Sequence, residues 1–329
     1  MKKNVALIIP YFGKFPNYFD FWLKSAKYNN KFDFLIFTDN DSYNTKGNVK
    51  FIHMSFDKFK ALLQEQVQFP ICLDEPYKLC DYRPMYGSAL HYYIKDYKFW
   101  GFCDVDLIFG DMSKFITPKI LGDYDKIYQL GHLTLLRNNE ICDNLWKEKH
   151  HLNNAYRYDE AFKTPYACHF DETNGLTRIS ELRKIKTYSK VDFADIDRKQ
   201  FNFHLLNREE KIHAGVFEWK NGNLVYMYIK NGKVISQEVI YAHFQKRKLS
   251  IERYDNVISD SFIIVPNKIL VNYNLSNILS EQKITQKYEY YRSSRRIEII
   301  KSIKKHAIQQ RVYRSLFRPL FRKWVLDKQ

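Results

Sequence analysis

The chain carries 329 residues, 45% hydrophobic and 17% aromatic, a composition that fits a globular protein with ample core for one large domain or two small ones. Its five scattered cysteines (72, 80, 103, 142 and 168) form no CxxC pair and no zinc-finger spacing, so they read as reduced thiols rather than a disulfide framework. The formal charge of +16 is concentrated: thirteen Lys and Arg face three acids between Lys287 and Gln329, and the rest of the chain is only mildly basic.

VALIIP (5–10) is a continuous apolar run closed by Pro10, the pattern of a strand buried on both faces. It is too short for the apolar region of a signal peptide, and no small-residue cleavage site follows. NYFDFWLKSAKYN (17–29) puts Phe19, Trp22, Leu23 and Ala26 on one helix face. FDFLIFTDN (32–40) and VKFIHM (49–54) are two further buried strands, and SFDKFKALLQEQV (55–67) is a helix with Ser55 as its N-cap. This alternation predicts an α/β protein with a mostly parallel central sheet flanked by helices. Residues 68–87 are irregular and hold three of the nine prolines. SALHYYIKDY (88–97) is read as a helix, FWGFCDV as a strand, and a helix is expected near 112–121. KIYQL (126–130) and GHLTLLRN (131–138) are strands, with helices near 139–150 and over 175–185. Asn221-Gly222 and Asn231-Gly232 divide residues 212–244 into three β-rich segments, a meander that ends in YAHFQKRK. Beyond about residue 283 the chain turns helical and basic. No stretch approaches the roughly 18 apolar residues of a membrane span.

Asp-x-Asp occurs four times, at Asp39/Asp41, Asp104/Asp106, Asp123/Asp125 and Asp195/Asp197, so only the setting can distinguish one pair. Ligands of open α/β sheets sit beyond the carboxyl ends of strands. Asp104 and Asp106 follow a strand in FWGFCDVDLIFGD, and Asp39 follows another; the remaining pairs have no comparable strand before them. A strand-end carboxylate pair suits a divalent ion, Mg²⁺ or Mn²⁺, holding a diphosphate. The same residues also suit a helix N-cap or a loop edge.

Taken together, PYFGKFPNYF, FTDN, KLCDYRPMYG, FWGFCDVDLIFGD, GHLTLLRN, HFDETNG and YAHFQKRK resemble, in order, bacterial GT-A-type glycosyltransferases of capsular and cell-surface polysaccharide synthesis. The resemblance covers about residues 1–250, which would form a GT-A-like catalytic domain. A connecting segment (251–283) and a basic amphipathic helical tail (284–329) would follow. It implies that Pro10, Tyr11 and Phe12, with Thr38, Asp39 and Asn40, hold the base and ribose of a nucleotide-sugar, UDP-linked foremost. Asp104 and Asp106 match the DxD motif, Asp104 toward ribose or metal and Asp106 on the metal. His243 matches the late histidine that completes the metal shell, an imidazole being more acceptable to Mn²⁺ than to Mg²⁺. Lys246, Arg247 and Lys248 would neutralise the diphosphate.

The Pro-bounded KLCDYRPMYG offers Lys78, Asp81 and Arg83: Arg83 to grip phosphate, Asp81 to orient it or to hold a sugar hydroxyl. The plainer reading is an ion pair closing a loop. An inverting transferase needs a general base, for which Asp171 and Glu172 in HFDETNG, then Asp159 and Glu160 in RYDEAF, are the candidates. Each is equally readable as a helix-start or solvated acid. His132 is a candidate for the acceptor site.

In the tail, Ile300, Ile303, Ala307, Val312, Leu316, Leu320 and Trp324 fall near one side, with Lys and Arg filling the rest. Such a segment fits an anionic membrane surface, and it fits a helix packed on the catalytic domain or an oligomer contact. The expectation is a cytoplasmic, metal-dependent glycosyltransferase peripheral to the inner face of the membrane, acting on a glycan or lipid-linked acceptor. The alternatives are a basic nucleic-acid-binding protein or a metal-dependent phosphohydrolase or nuclease. The charge forms a tail rather than a groove, so nucleic acid is not the expected partner. No GxGxxG follows the first strand, which disfavours a dinucleotide oxidoreductase.

Overall fold

Strand β1 (Lys3–Pro10) is buried on both faces, with Val5 through Ile9 at most 2% exposed, and it lies inside a sheet as its apolar run requires. The structure, a computed structural model, describes residues 3–198, 200–207, 215–252, 260–271, 273–278 and 300. Helix α1 (Phe19–Tyr28) buries Phe19, Trp22, Leu23 and Ala26, the face its spacing predicts. Strands β2 (Phe32–Thr38) and β3 (Val49–His53) precede α2 (Phe56–Gln64), where the Ser55 hydroxyl accepts from the Lys58 N–H as an N-cap. A 3₁₀ segment, Pro76–Met85, crosses the proline-rich stretch. The single helix expected over 88–97 is instead two short turns, α3 (Tyr86–Ala89) and α4 (His91–Ile94). Asn138 closes that stretch early by donating to the Ile94 and Tyr97 carbonyls.

Strands β4 (Tyr97–Cys103) and β5 (Leu107–Phe109) flank the aspartate pair. Helix α5 (Pro118–Asp123) starts with Thr117 as cap and Pro118 in its first turn, then β6 (Lys126–Leu130) and β7 (Leu133–Arg137) form a hairpin. The helix expected over 139–150 is one α-turn, α6 (Glu140–Asp143), and a 3₁₀ turn, because buried Trp146 anchors the chain to Ser88. Next come α7 (Tyr158–Lys163), α8 (Leu176–Leu182), β8 (Thr187–Tyr188) and β9 (Ala194–Asp195). The meander is β10 (Val216–Lys220), β11 (Asn223–Lys230) and β12 (Lys233–Glu238). Both Asn-Gly turns have positive φ at both positions, the geometry that selects that pair. Strands β13 (Tyr241–His243), β14 (Ser250–Glu252), β15 (Ser261–Val265) and β16 (Lys268–Leu270) complete the set, before α9 (Leu275–Ile278).

The main sheet has the order β3-β2-β1-β4-β7-β6-β8, with β3, β2, β1 and β4 parallel and β7 antiparallel to both neighbours. The α/β class read from the sequence is thus the observed one. Alternate residues of β1 serve two cores, Ala6 and Ile8 on one face and Val5, Leu7 and Ile9 on the other. The meander belongs to a six-stranded sheet, because β15 pairs with the open edge of β10 and brings β16 and β14 with it. Part of the stretch read as a connector therefore extends that sheet. The YAH segment leaves the meander and forms a third sheet, β5-β13-β9. The expected helical tail over 284–329 lies outside the described residues except for Ile300. No described helix is long and apolar enough to cross a membrane.

Candidate functional site

Parallel β1 and β4 end on the same side of the sheet, and a cavity of about 940 Å³ opens there. Its walls are the chain leaving β1 (Pro10–Phe12), the aspartate segment after β4, and Tyr77, Cys80 and Arg83 of the 3₁₀ segment. His132 from the β6–β7 turn, Asp171 and Glu172 ahead of α8, and Gln245–Lys248 after β13 complete them.

The backbone of Asp104-Val105-Asp106 is fixed on three sides. The Asp104 N–H donates to the His132 carbonyl (3.1 Å), the Trp22 indole donates to the Asp104 carbonyl (3.2 Å), and the Phe244 N–H donates to the Asp106 carbonyl (3.0 Å). Val105 between them is buried. Each carboxylate then has one oxygen held and one turned inward. Asp104 Oδ1 accepts from Arg83, and Oδ2 lies 3.8 Å from His243 Nε2. Asp106 Oδ2 accepts from the Lys246 N–H at 2.6 Å, and Oδ1 lies 3.6 Å from the same His243 nitrogen. Gln245 and Lys246 both take left-handed backbone (φ 47° and 60°), the turn that aims that N–H at Asp106.

The small third sheet places His243. Antiparallel pairing sets it opposite Leu107, beside Asp106, and parallel pairing sets it opposite Asp195. Its Nδ1 is held by Asp195 Oδ1 at 2.8 Å, which leaves Nε2 for the carboxylate pair. Asp104, Asp106 and His243 thus offer three ligand atoms within 4.8 Å of one another, and Asp195 is the outer carboxylate that fixes the imidazole. The donor set of two carboxylate oxygens and one imidazole fits Mn²⁺ or Mg²⁺, the imidazole favouring Mn²⁺. Burial works against charge on Asp106, yet the His243 charge and hydrogen bond and the Lys246 N–H outweigh it and hold the carboxyl at about 2. For His243, burial is outweighed by Asp106 and by the bonds to Asp106 and Asp195, which carry it to about 10. His132 stacks on His243 at 4.6 Å, and burial followed by that neighbouring charge pushes it down to about 3. Neutral His132 binds the Tyr241 hydroxyl through Nδ1 (2.6 Å), and its buried Nε2 has no partner among the described residues.

Arg83 joins this cluster to a second wall. One guanidinium nitrogen donates to Asp104; the other donates to Asp171 Oδ2 (2.9 Å) and to the Gly131 carbonyl (2.8 Å). The Gly131 N–H donates to Glu172 Oε1 (3.1 Å), and a Cβ on Gly131 would stand 2.5 Å from Asp171 Oδ2, so only glycine permits this approach. Burial pushes the Asp171 carboxyl well above the usual range, with Arg83 opposing and the neighbouring acids adding to the rise.

Of the residues singled out from the sequence, Pro10, Tyr11, Phe12, Arg83, Asp104, Asp106, His132, Asp171, Glu172, His243, Lys246, Arg247 and Lys248 line this one cavity. Arg247 faces it only in part; its guanidinium donates to the Phe201, Asp197 and Gln200 carbonyls and holds those residues in place. Asp39 accepts from the Gly13 N–H (2.7 Å), Asn40 donates to the Gly13 carbonyl (3.4 Å), and Thr38 accepts from the Asn40 N–H. These three brace the loop behind Tyr11 and Phe12 rather than form the wall. Lys78 and Asp81 are buried against each other beneath it, and Asp159 is paired with Arg157 away from the cavity. Sequence reasoning missed Asp195, Tyr18, Tyr77, Gln245 and Arg198, which also line the cavity. Asp195 belongs to an Asp-x-Asp pair set aside for want of a strand before it, and the two-residue β9 leaves no periodicity to read.

The profile of a family of unknown function (DUF6625) matches residues 7–273. No curated protein matches the sequence. Among solved structures, the galactosyltransferase LgtC with donor and acceptor sugar analogues is 13% identical, covering 58% of this chain and 75% of its own, with a TM-score of 0.33. An active-site mutant of LgtC is 12% identical over 74% of this chain and 88% of its own, with a TM-score of 0.39. The glycosyltransferase GlyE of Streptococcus pneumoniae TIGR4 is 12% identical over 58% of this chain and 46% of its own, with a TM-score of 0.26. Similarity this low says nothing about which residues act or on what.

Proposed function

This chain belongs to the DUF6625 family, and we propose that it is a metal-dependent glycosyltransferase. It would move a sugar from a nucleotide-sugar donor, UDP-linked foremost, to a glycan or lipid-linked acceptor. The observation that carries the reading is the clasp: Asp104, Asp106 and His243 each have one polar atom held by the protein and another turned toward a shared point. A cavity of about 940 Å³ falls at the upper end of the usual range for small-molecule sites, about 300–1,000 Å³, large enough for a nucleotide and a sugar.

A divalent cation held there would stabilise negative charge on a departing diphosphate. The chain's own groups do the rest. Arg83 keeps Asp104 oriented, and Asp195 holds His243 through Nδ1, so Nε2 would be the nitrogen left to ligate on giving up its proton. Lys246 Nζ, 3.7 Å from the Tyr77 ring centroid, and Lys248 add positive charge to the wall nearest the diphosphate. Tyr11 and Phe12 supply aromatic surface for the base. Glu172, half-buried on the wall with one oxygen on the Gly131 N–H, is the carboxylate for an acceptor hydroxyl proton if the reaction inverts. The basic stretch 284–329 supports action at the cytoplasmic face of a membrane.

Thermal unfolding with UDP- and GDP-sugars, with and without Mn²⁺, tests this. Wild type should gain stability only with nucleotide and metal together, about 2.7 kcal/mol at a hundred-fold excess over Kd, and Asp106→Asn should lose the gain. Absence of any metal-dependent gain in wild type would overturn the reading. Free phosphate instead of nucleoside diphosphate among the products would favour a phosphohydrolase.

A further inference from the structure

A second group of ligating side chains lines the same cavity and has no part in the clasp. Cys80 of the 3₁₀ segment, His169 and Asp171 present a sulfur, a ring nitrogen and a carboxylate oxygen within 4.8 Å of one another. Asp171 is 1% exposed; its Oδ2 is held by Arg83, while buried Oδ1 has no hydrogen-bond partner among the described residues. A desolvated carboxylate oxygen without a donor is costly unless something positive reaches it. Among the described residues no hydrogen bond holds the Cys80 thiol or the His169 ring.

The backbone also prepares this arrangement. His169 takes the left-handed conformation at φ 55°, and the N–H groups on either side of it, those of Cys168 and Phe170, both donate to Asp81. A buried ion pair thus holds an unfavourable turn, and the turn presents the imidazole to the cavity. Strained positions of this kind gather where side chains bind or react.

We propose that Cys80, His169 and Asp171 form a second cation site, for Zn²⁺ or a similar thiolate-seeking divalent ion, distinct from the Asp104/Asp106/His243 clasp. The donor chemistry separates the two. Sulfur, imidazole and a single carboxylate select Zn²⁺ over Mg²⁺, and three protein ligands leave a fourth position open to the cavity. Ligand atoms around a tetrahedral zinc stand about 3.5 Å apart, so side-chain rotation of about an ångström closes the site. On binding, the Cys80 S–H proton passes to water as the sulfur–metal bond forms, and no redox change occurs. This goes beyond the transferase reading and does not depend on it.

Co²⁺ is the probe: the full-length, metal-stripped protein is titrated while its near-ultraviolet thiolate-to-cobalt absorption is recorded. Wild type should develop a saturable band that Zn²⁺ abolishes by displacing Co²⁺. Cys80→Ser should show no band, His169→Ala should bind Co²⁺ at least about tenfold more weakly, and Cys72→Ser and Asp106→Asn should keep the band. No band in wild type, or one that survives in Cys80→Ser, overturns the proposal. Metal-free melting temperatures separate misfolding from lost ligation; if Cys80→Ser is unfolded, the His169→Ala affinity decides. Failure of the transferase reading appears elsewhere, in nucleotide binding that ignores Mn²⁺ and Asp106.

Discussion

Two groups of charges on one 3₁₀ segment behave oppositely. Lys78 and Asp81 are buried, and every polar valence is used. Lys78 Nζ donates to Asp81 (2.5 Å) and to the Ala161 and Tyr166 carbonyls, while Asp81 accepts from the Cys168 and Phe170 N–H groups. Arg83, five residues past Lys78, bridges Asp104 and Asp171, but there the partners keep atoms in reserve: Asp171 Oδ1 has no partner among the described residues, and Asp104 Oδ2 faces His243. A saturated pair fixes the chain. An unsaturated one beside a cavity is set to receive a ligand.

The largest effect should come from breaking the saturated pair. Asp81→Ala leaves a buried ammonium without its counter-charge and should cost about 3–5 kcal/mol in denaturant unfolding. A loss below about 1 kcal/mol would show that Lys78 finds water, and the pair would not be structural. Arg83→Met should separate differently, lowering kcat/KM of the proposed sugar transfer by about a hundredfold or more with a smaller stability loss than Asp81→Ala. Equal stability losses from the two would erase the distinction.

Lys126 is an intermediate case. It is fully buried in β6, its ammonium reaches, among the described residues, only the Thr177 and Ser180 hydroxyls at 3.4 and 3.3 Å, and it lines no part of the cavity. Burial lowers it from 10.5 to about 7. Between those values the unfolded chain binds more protons, so this group makes stability rise with pH from about 7 to 10.5; below 7 the full cost of the buried charge applies. Lys126→Met should stabilise the protein by about 1–3 kcal/mol at about pH 6, remove that part of the pH slope, and leave transfer unchanged. Reduced transfer would mean that an unsaturated charge matters to function even away from the cavity. The smallest effect is expected at the exposed Lys114–Glu238 pair (2.6 Å), where Lys114→Met should change stability by less than about 1 kcal/mol.

The sequence alone determined the layers of this protein and one half of its candidate site. The apolar runs of β1, β2 and β4, the Ser55 cap and the two Asn-Gly turns are local signals, and residues a few positions apart were enough to read them. Asp104 and Asp106 were legible for the same reason, since a strand leads directly into them. The resemblance also pointed to His243, and what only the tertiary structure decided is how such distant groups reach the pair and what holds them there. His243 reaches the pair because a three-residue strand leaves the meander to lie between Leu107 and Asp195. Lys78, Asp81 and Arg83 share one motif in which Arg83 was read as gripping phosphate and Asp81 as orienting it, and packing buried Lys78 and Asp81 while turning Arg83 into the cavity. Strands this short carry too few residues for periodicity, and whether a charge is saturated depends on partners that are distant in the chain. Those are properties of packing, which the local pattern does not encode.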